Sequence, residues 1–207
     1  MRSDKRNDRF ILLIVLIIII LLSYINAALA DYWAGATKQE IFSKNKKYKF
    51  VIIPQSKKCI GELYERHDEK EYKLLWKTTL RNKARVGNEV SPVSAVVSNT
   101  GKYIVTFDDW HEMGYGDNVI VIYGEGGTLL YKYALADILT ESEIKDSVPR
   151  SASSLWWRCK DFDSCYEDDT YIDEDEMLVI ITSVGERVVV LKYGTVLGKP
   201  SNKEEGK

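Results

Sequence analysis

Short runs of alternating apolar and polar residues recur along this chain, at the length of β-strands and bounded by Gly, Pro, Asn and Asp. The stretch 97–123 is their centre. It holds two runs, 103–107 (Y-I-V-T-F) and 119–123 (V-I-V-I-Y), opened by the turn signals Asn99-Thr100-Gly101 and Gly116-Asp117-Asn118. Period-2 geometry puts Tyr103, Val105 and Phe107 on one side of the first run and Ile104 on the other. Apolar residues on both sides predict central strands of a sheet, covered on both faces.

Upstream, 48–54 reads as a strand that ends at Pro54. Residues 59–64 and 72–76 read as two more, joined by the charged hairpin loop 65–70, and 93–97 resumes the pattern after Pro92. The segment before them, up to Phe42, reads as one or two helical turns. Downstream, 129–133 follows the glycine turn 124–127, and 177–181, 187–191 and 195–197 are closing strands divided by Gly185 and Gly194. One helical piece intervenes: Leu135, Ile138 and Leu139 share a helical face, and Thr140 with Glu143 fits a capping box for a turn that ends before Pro149.

The chain also echoes itself. K-Y-I-V-T-F…N-V-I-V-I-Y-G-E-G-G-T-L-L stands beside E-M-L-V-I-I-T…R-V-V-V-L-K-Y-G-T-V-L, and 48–76 reads as a third, more degenerate copy. The fold expected is therefore all-β: an antiparallel meander of blade-like units, forming an incomplete propeller-like array or a sandwich or barrel, with one short helix and an N-terminal hydrophobic helix.

That last helix changes the picture of where the protein works. Arg2, Lys5, Arg6 and Arg9 precede an unbroken apolar run, 10–22, and Ala28-Leu29-Ala30 follows. Basic, apolar and small-residue regions in that order describe a secretory signal cleaved between Ala30 and Asp31. The alternative is an uncleaved anchor, since 10–30 matches the roughly 20 residues that span a bilayer. Both readings export the body of the chain, to the periplasm or cell envelope in one case and as a membrane-anchored domain outside the cytoplasm in the other. The organisation expected is residues 1–30 as signal or anchor, 31–198 as one β-rich extracytoplasmic domain and 199–207 as a disordered tail.

Formal net charge is −2, which argues against nucleic acid as a partner. The charge is uneven: residues 38–85 hold fourteen Lys/Arg against six Asp/Glu, whereas 161–176 hold nine Asp/Glu and no Lys/Arg. Three cysteines, Cys59, Cys159 and Cys165, allow three pairings or none. In an oxidising compartment Cys159 and Cys165 are the natural pair, and so short a ring contributes only about 2 kcal/mol. Cys59 then reads as a small buried apolar residue on a strand.

Motifs that carry chemistry are missing. His111-Glu112 opens like H-E-x-x-H, but Tyr115 stands in place of the second His. G-x-S-x-G and P-loop patterns are absent, and Gly114-Tyr115-Gly116 lacks the third dinucleotide glycine. Ser142-Glu143-Ile144-Lys145 matches S-x-x-K without its companion elements.

The loop 108–117 is the candidate site. Asp109, Trp110, His111, Glu112, Tyr115 and Asp117 supply carboxylates, an imidazole and an aromatic wall for a polar ligand or for acid–base work. The competing reading has Trp110 and Tyr115 cap the sheet while Asp108 or Asp117 bonds the turn backbone. Trp156 and Trp157 would point to opposite faces if extended, one into the core and one toward a partner. Asp161, Asp163, Glu167, Asp168 and Asp169 offer oxygen ligands for Ca²⁺, without EF-hand spacing, against a plain solvated loop.

The segment 97–105, V-S-N-T-G-K-Y-I-V, resembles the S-x-D-G-[KR]-Y strand opening of WD-like propeller repeats in bacterial envelope proteins, with Thr100 where those repeats carry Asp. The longer string from Val97 to Trp157 is similar to an uncharacterised family of bacterial exported β-rich proteins. The resemblance implies export and assigns no functional residue. The function expected is a non-catalytic exported domain that binds a protein or envelope component, with no cofactor identified and with membrane contact only through 10–30 if uncleaved. The alternatives are a hydrolase built on Asp109, His111 and Glu112, and a Ca²⁺-stabilised structural domain.

Overall fold

Three four-stranded antiparallel sheets follow one another along the chain in a computed structural model that describes residues 13–15, 34–68, 71–81, 91–151, 153–158 and 170–198. The chain divides into two units, Met1–Trp33 and Ala34–Lys207. In the first, residues 13–15 are helical and exposed. The rest of the expected signal or anchor, with the Ala30–Asp31 junction, lies outside the described residues. Among the described residues no helix is long and apolar enough to cross a membrane.

In the second unit, sheet 1 is β1 (Gln39–Phe42), β2 (Tyr48–Gln55), β3 (Lys58–Arg66) and β4 (Tyr72–Thr79). Sheet 2 is β5 (Pro92–Val97), β6 (Ile104–Asp109), β7 (Ile120–Tyr123) and β8 (Leu129–Tyr133). Sheet 3 is β9 (Tyr171–Ile172), β10 (Met177–Thr182), β11 (Gly185–Val190) and β12 (Thr195–Leu197). Each is a plain meander in chain order. The sheets stack as blades and do not close into a barrel.

Sheet 2 sits in the middle, and its alternation is why. Ile104, Val121 and Tyr123 are buried against Tyr48, Phe50 and Ile52 of sheet 1. On the other side, Val105, Phe107, Ile120 and Ile122 are buried with Leu178, Ile180 and Val189 of sheet 3. Each such side chain contributes roughly 1.5–3 kcal/mol by leaving water. The two-faced apolar pattern expected of 103–107 is what this double burial requires.

The internal echo is a real repeat, and the turn that opens the second strand of each sheet carries it. Ser43 N donates to Tyr48 O, Ser98 N to Tyr103 O and Asp173 N to Met177 O. The side chain of that first residue accepts from the amide at the turn's exit: Ser43 Oγ from Tyr48 N (3.0 Å), Ser98 Oγ from Tyr103 N (3.1 Å), Asp173 Oδ1 from Met177 N (2.8 Å). A left-handed residue precedes each exit, at Lys46 (φ 56°), Gly101 (φ 73°) and Glu176 (φ 59°). The turns are also joined in series. Asn45 Nδ2 donates to Asn99 O at 2.9 Å, and Thr100 Oγ1 donates to Glu176 Oε1.

Two expectations need correction. The segment up to Phe42 is the strand β1, not helix, because Gln39 to Phe42 pair with Ile52 to Lys49 and Ile41 packs on the core between sheets 1 and 2. Tertiary pairing overrides a weak local preference there. The helical piece is two helices, α1 (Leu135–Ile138) and α2 (Glu141–Asp146). Thr140 explains the break: as N-cap it is extended (φ −77°, ψ 160°), its Oγ1 accepts from Glu143 N, and its own amide donates to Glu143 Oε2 at 2.8 Å. The expected capping box therefore ends the first helix by starting the second.

Candidate functional site

In each meander the first strand begins, and the second strand ends, at the same end of the sheet. The loop after β6 thus shares one end of sheet 2 with the segments that lead into β5 and out of β8. Hydrogen bonds tie these pieces together: Trp110 N donates to Ser91 O (2.9 Å), Trp110 Nε1 to Ala34 O (2.9 Å) and Leu155 N to Met113 O (2.8 Å).

Asp108 is the pivot. It is fully buried and left-handed (φ 56°), a conformation that a short polar side chain tolerates. Its Oδ1 accepts from Gly114 N at 2.7 Å and from Trp157 Nε1 at 3.0 Å. Its Oδ2 lies 3.5 Å from Nη2 of Arg158. Arg158 stacks 4.4 Å above the Phe107 ring and donates to Ser94 Oγ at 3.0 Å. Gly114 (φ 78°) has no room for a side chain, since a Cβ there would come within 2.6 Å of Leu155 Cβ.

The candidate residues disperse around this pivot. Asp109 is buried, and its Oδ2 accepts from Asn118 Nδ2 at 3.4 Å. Trp110 turns to Ala34, and His111 is half-buried in a left-handed backbone (φ 72°). Glu112 and Tyr115 form successive backbone turns, Glu112 N donating to Asp109 O and Tyr115 N to Glu112 O. Asp117 is exposed, 3.8 Å from Lys132 Nζ. Trp157 is a core residue with no exposed surface, Trp156 is half-buried, and neither lies in a regular strand. Asp161, Asp163, Glu167, Asp168, Asp169, Cys159 and Cys165 lie outside the described residues. Among the described residues no group of three or more His, Cys, Asp or Glu is placed to hold a metal.

Beside the loop, between sheets 1 and 2, lies an open cleft of about 690 Å³ lined in part by Thr78, Thr79, Arg81, Asn118 and Tyr123. Asn118 joins it to the loop through Asp109. Tyr123 Oη accepts from Arg81 N at 2.7 Å, and burial pushes this phenol up to about 12. At the inner wall of the same interface Cys59 is a free, buried thiol, raised to about 11 by burial and partly offset by Ser91. Sequence reasoning missed Arg158, Arg81 and Asn118. A lone cation beside two tryptophans was the one available hint for Arg158, and nothing local marks the other two.

No family model matches the sequence, and no curated protein matches it. Among solved structures, the chain is similar to the periplasmic gluconolactonase PpgL of Pseudomonas aeruginosa, at TM-score 0.40 and 12% identity, over 81% of this chain and 39% of that one. The chain thus spans well under half the length of that protein. A likeness at that level says nothing of activity.

Proposed function

We propose that the protein is an exported, non-catalytic binding domain, in which the three sheets hold one loop end rigid for contact with a protein or envelope component. The observation that supports this reading is the use made of Asp108. The most buried carboxylate of the loop is engaged by Gly114, Trp157 and Arg158, which makes it a clasp for the loop. What remains toward solvent is a mixed surface of half-buried and exposed groups, His111, Glu112, Tyr115, Asp117 and Trp156, with the polar cleft alongside. Such a surface suits recognition. Export is supported by the basic residues ahead of the apolar run 10–22.

The test is site-specific photo-crosslinking in the cell from Glu112 and Trp156, in the full chain. The reading expects one discrete envelope adduct from these positions and none from exposed Lys73 on β4. An esterase or lactonase activity that the His111→Ala change abolishes with an unchanged Tm would replace it with the hydrolase reading.

A further inference from the structure

Counting from the exit of the repeated turn, where Tyr48, Tyr103 and Met177 are equivalent, aligns the three sheets through their registers. Phe50 pairs with Leu63 and Leu63 with Trp76, as Val105 pairs with Ile122 and Ile122 with Tyr131. Trp76 and Thr78 of β4 therefore correspond to Tyr131 and Tyr133 of β8. Packing agrees: Gly127 lies on Trp76 and Thr78, and Gly194 lies on Tyr131 and Tyr133. The chain thus builds the joint between neighbouring sheets twice, and each joint is a control for the other.

The two joints differ at the loop end. Between sheets 2 and 3 the register places Tyr133, Ala134, Ala136, Val184 and Val189 there. The chain runs from β8 into α1, whose Leu135 and Ile138 are buried with Val189 in one core, and Val184 packs against it. Between sheets 1 and 2 the equivalent positions are Thr78, Thr79, Arg81, Asn118 and Tyr123, and all five line the open cleft of about 690 Å³. The filled joint shows that packing one sheet on the next needs neither a charge nor an amide at these places. Their presence around a cleft of small-molecule size points to a ligand.

The lining decides the class of that ligand. Arg81 is exposed, and its guanidinium makes no ion pair among the described residues. No acidic side chain lines the cleft among the described residues. Tyr123 Oη accepts from Arg81 N at 2.7 Å, which holds the backbone of Arg81 at the wall. A guanidinium presents a planar fork of donors that matches a carboxylate or a phosphate. Asn118 is oriented by its bond to Asp109 Oδ2 at 3.4 Å, which uses one of its N–H groups, and Thr78 and Thr79 add hydroxyls. A bare anion would occupy a small part of this space, so the anion is one end of a larger polar molecule.

We propose that the cleft between sheets 1 and 2 binds a sugar-sized anion, with its carboxylate or phosphate on Arg81 and its hydroxyls on Asn118, Thr78 and Thr79. This site is separate from the contact surface of the loop 108–117. Crosslinks from Glu112 and Trp156 report on the loop, and a titration reports on the cleft, so either can fail alone.

The experiment is isothermal titration calorimetry of the full chain, purified in mild detergent, with glucuronate, glucose-6-phosphate and glucose. At least one of the two acids is expected to bind with a Kd of about 1 mM or tighter, and glucose, which lacks the anion, is expected not to bind. Binding of glucuronate alone would make the anion a carboxylate, and binding of glucose-6-phosphate alone would make it a phosphate. Arg81→Gln and Thr79→Glu change exposed side chains, and a thermal melt of each variant checks that it folds. Each is expected to weaken binding at least about tenfold, by removing the charge or by setting a carboxylate beside it. No binding of either acid up to about 10 mM would overturn the proposal. Glucose binding as tightly as the acids, or acid binding that neither variant weakens, would overturn it as well.

Discussion

Arg187 of β11 donates from Nη2 to Oε1 of Glu143 in α2 at 2.6 Å, joining a residue of sheet 3 that is only 4% exposed to a helix 44 positions earlier. The same carboxylate closes the capping box with Thr140, and the same guanidinium reaches Ile138 O. One pair therefore fixes both short helices on sheet 3. Helices of this length are not stable alone, so their position depends on such ties.

Glu143→Ala is expected to destabilise the fold by about 3 kcal/mol, because it leaves a buried guanidinium without its counter-charge. The effect depends on pH. Burial raises the Glu143 carboxyl, but the Thr140 amide and Arg187 outweigh it and hold the group below its ordinary 4.5. Below that value the unfolded chain binds the proton first, so the contribution is whole above pH 4.5 and fades as pH falls through the lowered folded value. Urea midpoints of wild type and Glu143→Gln should converge toward acid; a gap that stayed constant from neutral pH to acid would refute the assignment.

Asp108 separates two roles by substitution. Asp108→Asn keeps an acceptor for Gly114 and Trp157 and tolerates the left-handed backbone, while it removes the charge near Arg158. It should cost about 2 kcal/mol, and Asp108→Ala, which loses the acceptor too, about 4 kcal/mol or more. Trp157 reports the difference: its fluorescence should shift in the alanine variant and stay near wild type in the asparagine one.

The repeated turn predicts opposite outcomes at equivalent positions. In Gly101→Ala the new methyl would meet the Tyr48 ring at 2.5 Å, at φ 73°. The expected loss is about 2–4 kcal/mol from backbone strain and overpacking. Lys46→Gly relieves the same strain at φ 56° and should change stability by less than about 1 kcal/mol, toward higher Tm. Glu176→Gly relieves it as well but gives up Thr100 and Lys102, so it should show no gain. Chemical melts of the three variants order them.

Cys59 predicts an alkaline limit. Its thiol is raised to about 11 from 9.0 by burial. The unfolded thiol ionises first, so this contribution is present below pH 9 and is lost as pH rises toward 11, amounting to about 2–3 kcal/mol. Tyr123 adds a loss in the same direction at higher pH. Cys59→Ala should flatten the slope between pH 9 and 11, and native protein should resist iodoacetamide at Cys59 until denatured.

What the sequence determined by itself was local and periodic. The two-faced runs around Ile104 and Ile122 placed the central strands, because burial on both sides leaves a period-2 record in residue type. Thr140 and Glu143 placed a helix start, because a capping box is made within four residues. The turn at Ser98–Tyr103 was legible, and with it the blade-like repeat, even where Lys46 replaces the glycine. Tertiary structure alone decided the rest. β1 is a strand only because β2 lies beside it. Asp108 rather than Asp109 became the centre of the loop because Trp157 and Arg158, some 50 residues on, arrive to meet it. The cleft at Arg81 and Asn118 exists only between two sheets. Local patterns record what each residue buries, whereas the partner it buries against is chosen by how distant segments stack.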